Sequence, residues 1–130
     1  MGNILKGIEE NRAIFAYKCV ENAMADTQVA KKYKSYAKKI PRLIQNNGLG
    51  PAMAFVYSKK GKNRNADEKA YSRLYNDIQN RLRDLYLLEK DVDLTKAVCE
   101  KNSVEYREIT IEVLALFNWL RRFVEGMIED

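Results

Sequence analysis

Residues 103–128 read SVEYREITIEVLALFNWLRRFVEGMI. Within them Ile109, Val113, Leu116, Leu120, Val124 and Met127 step by four, three, four, four and three. That is the period of an α-helix with a buried stripe. Phe117, Phe123 and Ile128 widen the stripe, which predicts a helix covered on more than one side. Such a helix needs neighbours, and the rest of the chain carries the same period.

A first helix is predicted from about Ile4 to Ala25, with Ile8, Phe15, Ala16, Cys19, Val20 and Ala23 facing inward. Asp26-Thr27 offers a break and a new N-cap. A second helix runs from about Gln28 to Lys39, with Val29, Tyr33, Tyr36, Ala37 and Ile40 as its apolar stripe. Pro41 disfavours the helical conformation at Ile40 and suits a first helical position, so a separate short helix is expected over Pro41 to Asn46. Asn47-Gly48 reads as its C-cap. Pro51 opens another helix, and Ser58 to Asn65, without an apolar residue, reads as an exposed, mobile basic loop. Asn65-Ala66-Asp67-Glu68 has the form of a capping box. The helix it starts is predicted to reach about Glu89, with Tyr71, Leu74, Tyr75, Ile78, Leu82, Leu85 and Leu88 inward. A turn at Asp91 to Asp93 and a short helix from Leu94 to Lys101 precede the last helix. No strand-like alternation occurs. The expected fold is all-α: one domain over residues 1–130, a bundle of three long helices and three or four short ones.

A chain of 130 residues with 46% hydrophobic residues can bury a core without disulfides or metals. Cys19 and Cys99 stand 80 residues apart in no metal spacing, and free, buried thiols in a reducing cytosol are expected. Met1 to Lys6 holds no continuous apolar stretch of signal-peptide length, and no run long enough to span a membrane occurs. There is no histidine, which removes imidazole catalysis and His ligation of metals. No nucleophile–base pair is evident. The carboxylate pairs Glu9/Glu10, Asp67/Glu68 and Asp91/Asp93 fall in first turns, at caps or on polar faces. No catalytic residue, metal or cofactor is therefore expected.

Charge is segregated. From Thr27 to Ala66 there are ten basic residues and no acidic one: Lys31, Lys32, Lys34, Lys38, Lys39, Arg42, Lys59, Lys60, Lys62 and Arg64. The whole chain holds 23 basic and 18 acidic residues, so the remainder has 13 against 18. A solvated face would explain a short run; forty residues without a counter-charge point to a polyanion or an acidic partner. Lysine outnumbers arginine in the segment, which favours phosphate contact over base reading. The candidate nucleic-acid contacts are Lys31, Lys34, Lys38, Lys39, Arg42, Lys59, Lys60, Lys62 and Arg64. Tyr33, Tyr36 and Tyr57 could stack on bases, but Tyr33 and Tyr36 lie on the apolar stripe and fit a core better. Gly48-Leu49-Gly50 lacks the phosphate-loop pattern and reads as a hinge. Trp119, Arg121 and Arg122 combine residue types typical of protein interfaces, while core packing serves Trp119 equally well.

Residues 36–59, YAKKIPRLIQNNGLGPAMAFVYSK, closely resemble the central motif of the small α-helical subunit of the Cmr module, the type III-B CRISPR RNA-guided effector. Tyr106-Arg107, Glu112, Leu114 and Phe117-Asn118-Trp119-Leu120-Arg121-Arg122-Phe123 resemble that family's C-terminal signature, and Arg12-Ala13 also fits. The resemblance implies a non-catalytic cytoplasmic subunit in antiviral defence. Copies would stack into a filament beside the backbone subunits, help line the channel for target RNA, as guide–target duplex or as single strand, and touch the large polymerase-like subunit. The alternative is a protein–protein adaptor whose basic face docks acidic subunits without touching RNA. A free-standing DNA-binding regulator is disfavoured, because the long helices broken by proline and glycine do not resemble a helix-turn-helix.

Overall fold

The computed structural model describes residues 2–130, with side chains from residue 7 onward; the side chains of the opening stretch read for a leader signal lie outside the described residues. Six helices follow in order among the described residues: α1 (Gly2–Ala23), α2 (Thr27–Asn47), α3 (Leu49–Lys60), α4 (Ala66–Asp84), α5 (Leu94–Glu100) and α6 (Ser103–Met127). The all-α expectation holds. The division into helices differs, because four are long and two are short.

The difference lies at Pro41, which sits inside α2 instead of opening a separate helix. A mid-helix proline removes one backbone hydrogen bond. Ala37, Ile40 and Ile44, all buried on one stripe, keep the helix packed across that gap. Helix α2 ends where Gly48 adopts φ 91°, a region open to glycine, and its N–H reaches the Ile44 carbonyl at 2.8 Å. Helix α4 stops at Asp84, short of the expected Glu89. Tyr86 takes φ 59° and is exposed, Leu85 is half-buried, and Leu88 returns to the core from a non-helical segment. Ile8, expected inward, is exposed, and so is Cys99; Cys19 is buried.

Capping sets the starts. The Asp26 side chain accepts from the Gln28 and Val29 amides at the head of α2. Asn65 accepts from Glu68 N at 2.9 Å at the head of α4, and Asn102 accepts from Glu105 N at 2.9 Å at the head of α6. Each cap satisfies an amide that the helix itself leaves unpaired.

Helix α3 packs on α4, α1 on α6, and α2 lies against both α4 and α6. Tyr33, Ile40, Met53, Leu74, Ile78, Leu116 and Phe117 are among the fully buried side chains at the centre. Two polar groups are buried with them. Tyr33 of α2 donates to Asp77 of α4 at 2.8 Å, with both residues buried. Glu112 of α6 accepts a two-pronged bond from Arg12 of α1, at 2.9 Å on each oxygen, and a third from Arg81 Nε of α4 at 3.1 Å. Arg12 also bonds Glu9 at 2.6 Å, and the Arg81 guanidinium lies 5.8 Å from the Phe15 ring centre.

Removing one member of such a cluster strands the others without water. Glu112→Ala should therefore lower the unfolding free energy by about 3–5 kcal/mol. Urea denaturation checks it, with the triple replacement Arg12→Met, Glu112→Leu, Arg81→Met expected to recover most of that loss. Asp77 gives a separate expectation. Burial pushes its carboxyl up from 3.8 to about 6, against the opposing pull of the Tyr33 hydroxyl, Arg73 and Cys19. A folded value above the unfolded one favours the protonated native state. Asp77 then contributes most below about pH 4 and loses that contribution as pH rises through about 6, a swing of about 3 kcal/mol. Asp77→Asn, which keeps an acceptor for Tyr33, should gain on the parent by about 2–3 kcal/mol between pH 4 and pH 7, measured by urea unfolding at both values.

Candidate nucleic-acid interface

The acid-free segment folds into α2, α3 and the loop after them, and the fold brings carboxylates from elsewhere against part of it. Lys34 departs furthest from expectation. Its side chain turns inward and is 8% exposed. Its Nζ donates to the Ile128 carbonyl at 2.8 Å and pairs with Asp130 at 3.0 Å. Lys34 is therefore a clamp on the end of α6 and not part of an open basic face. The helical spacing could not reveal this, because the acceptors come from a segment 94 residues away. Lys38, one turn on, pairs with Glu125, and that contact holds the Glu125 carboxyl below its usual range. Lys32 pairs with Asp67 at 3.5 Å, and Arg64 with Glu68 at 3.3 Å.

Lys31, Lys39, Arg42, Lys59, Lys60 and Lys62 have no ion pair among the described residues. They form the charge still available to an outside anion. Lys39 of α2 and Lys59 of α3 converge on one aromatic ring, their Nζ atoms 4.9 and 5.6 Å from the Phe55 centre. Tyr36 and Tyr71 stack beneath, 3.8 Å apart, and Phe55 meets Tyr71 edge-on. Lys60 lies 4.8 Å from the Tyr57 ring centre and 5.6 Å from that of Tyr75. An aromatic face attracts an ammonium without neutralising it, so these rings position the lysines and leave their charge in place. Tyr33 is fully buried and Tyr36 half-buried, as core residues. Tyr57 is 47% exposed, and its ring also packs against that of Tyr75 with centres 5.8 Å apart.

The α2–α3 joint sets the convergence. The Tyr106 hydroxyl, from the first turn of α6, accepts from the Gly50 amide at 2.8 Å. A Cβ on Gly48 would stand 3.3 Å from that hydroxyl. The Gly48-Leu49-Gly50 element is thus a fixed elbow closed by a tyrosine. The following loop is also tied down. Glu68 accepts from the Lys62 and Arg64 amides at 3.2 and 3.0 Å, and a Cβ on Gly61 would fall 2.6 Å from its carboxyl carbon. The expected exposed loop is shorter than Ser58 to Asn65, because α3 continues to Lys60.

Arg121 and Arg122 are exposed and border the same shallow groove as Lys38 and Glu125. The α6 arginines therefore extend the basic surface beyond the acid-free segment. Trp119 is half-buried; its indole N–H donates to Glu9 at 3.0 Å, and its ring stacks on Phe123. It joins α6 to α1. Among the described residues no group of three or more acidic or cysteine side chains could hold a metal ion, and no helix is long and apolar enough to cross a membrane. Lysines held over rings beside a cluster of exposed cations suit contact with phosphates along a flexible strand.

Residues 8–127 match the model of the Cas_Cmr5 family of CRISPR-associated proteins. A relative in Thermus thermophilus, described as CRISPR system Cmr subunit Cmr5, is 36% identical over 101 residues, which are 76% of this chain and 77% of the relative. The crystal structure of a CRISPR-associated Cmr5 family protein from Thermus thermophilus aligns with a TM-score of 0.73 at 33% identity, covering 93% of this chain and 97% of that one.

The inward turn of Lys34 carries its own test. Lys34→Met removes the donor to the Ile128 carbonyl and should cost about 1–3 kcal/mol of stability. Hydrogen exchange at the Ile128 amide should accelerate, while that of the α3 amides around Phe55 is unchanged.

Proposed function

The chain belongs to the Cas_Cmr5 family and is a subunit of the CRISPR Cmr complex, and from that premise we propose that it is a non-catalytic part whose basic face meets the target RNA backbone. The observation that carries this reading is the cluster of Lys39 and Lys59 on Phe55, with Arg42 one turn from Lys39 and Lys60 on Tyr57. Cations without an ion pair of their own that are held in place by rings, and for Lys39 by the Tyr71 hydroxyl at 3.4 Å, fit a line of phosphates better than one small anion. Copies of the chain stack into a short filament, and the guide-paired or single-stranded target runs along the aligned basic faces beside the backbone subunits. Trp119, Arg121 and Arg122 belong to the contact between neighbouring subunits. The large polymerase-like subunit is a further partner.

A second reading has an observation in its favour. Lys34 and Lys38 already hold carboxylates of their own chain, so the surface is chemically suited to acidic protein partners. On that reading the same cations hold the assembly together and leave RNA untouched.

Lys39→Glu, Arg42→Glu and Lys59→Glu together should weaken target RNA binding by the reconstituted complex. They should also flatten its salt dependence by about 0.7 in log K per log salt for each phosphate that the protein no longer neutralises. Native mass spectrometry of the same complex should find the subunit still in place. Loss of the subunit from the complex would support the adaptor reading instead.

A further inference from the structure

An open pocket of about 430 Å³ lies between the α1–α2 turn, the loop before α4, and α4 itself. Its size is in the range that holds one nucleotide. Ala23 and Val29, both buried, form an apolar floor. Lys69, Ser72, Arg73 and Asn76 line it from one side of α4, at the three- and four-residue steps that share a helix face. Asn63 reaches in from the loop, where its φ of 58° places it. Neither the Lys69 nor the Arg73 side chain makes a hydrogen bond or ion pair among the described residues. Asp26 is the one carboxylate in the lining, and its Oδ1 already accepts from two amides at the head of α2. The pocket thus presents two cations without a hydrogen bond or ion pair, of which Arg73 also feels the buried Asp77 carboxyl behind it, with two amides and a hydroxyl over an apolar base.

We propose that this pocket seats one nucleotide of single-stranded RNA, with its phosphate on Lys69 and Arg73 and its base over Ala23 and Val29. Asn63 and Asn76 face the base edge. The inference rests on the RNA-facing reading above and extends it to α4, outside the acid-free segment. Lys62, which has no ion pair among the described residues, precedes Asn63 in the chain, so a strand leaving the Phe55 surface meets a cation on the loop that leads into the pocket. Lysine and arginine supply phosphate contacts without sequence selection, and an apolar floor accepts any base.

The test is amide resonance mapping on the full isotope-labelled chain, with uridine 5′-monophosphate and an octauridylate as separate probes. Both should move the resonances of Asn63, Ser72, Arg73 and Asn76. The octauridylate should do so at lower concentration and should also move Lys39 and Lys59. Lys69→Gln with Arg73→Gln should raise the dissociation constant for the monophosphate about tenfold or more, with the rest of the spectrum unchanged. Arg73→Lys should retain part of the affinity. Equal affinity in the double variant, or equal binding of uridine lacking the phosphate, overturns the phosphate assignment. If the octauridylate moves Lys39 and Lys59 and leaves the pocket still, the pocket proposal fails and the RNA-facing reading stands. If it moves neither surface, both fall.

Discussion

One buried carboxylate, Glu112, holds two buried guanidiniums and with them three helices. Arg12 brings α1, Arg81 brings α4, and Glu112 stands on α6. Desolvating three charges is costly, and their mutual attraction offsets that cost only in good geometry. A slide of any one helix by a turn would leave a charge buried without its partner. An apolar seam alone penalises such a slide far less, because one aliphatic contact replaces another. Trp119 reinforces the joint at its edge by donating to Glu9, which also bonds Arg12. With α6 placed in this way, its two ends do their work on α2. Tyr106 near the start closes the Gly48–Gly50 elbow, and the Ile128 carbonyl at the end receives Lys34.

The placement of α2 decides which cations remain available. Ten positive charges without an acidic neighbour in sequence would repel one another on adjacent turns. The fold brings Glu125, Asp130, Asp67 and Glu68 to four of them. Of what is left, Lys39 and Lys59 are gathered from two helices onto Phe55, on the face that α2 and α3 share. Neutralisation from distant carboxylates thus turns a long basic segment into a smaller, positioned surface.

Much of this was legible in the sequence where the determinants are local. The stripe of α6 and the caps Asp26 and Asn65 depend on residues three or four apart, and all appear where the spacing put them. Pro41 was not legible in the same way. A local rule ends the helix there, yet burial of Ala37, Ile40 and Ile44 outweighs one missing hydrogen bond. Lys34 looked like a surface lysine because its spacing to Lys31 and Lys38 is helical, and its acceptor became visible only with α6 in place. Glu68 was readable as part of a capping box, but its carboxylate turns to the Lys62 and Arg64 amides instead. The basic surface was legible as charge. Its focus on Phe55 required two helices to meet.

The central claim is that RNA lies along the shared face of α2 and α3 around Phe55. Ultraviolet crosslinking of the assembled effector to 4-thiouridine-labelled target RNA, mapped to residues of this chain, tests it most directly. The expected result is adducts concentrated on the peptides that carry Lys39, Phe55, Tyr57 and Lys59. Adducts confined to the α1 surface around Ile8 and Ile14, with none around Phe55, would contradict it.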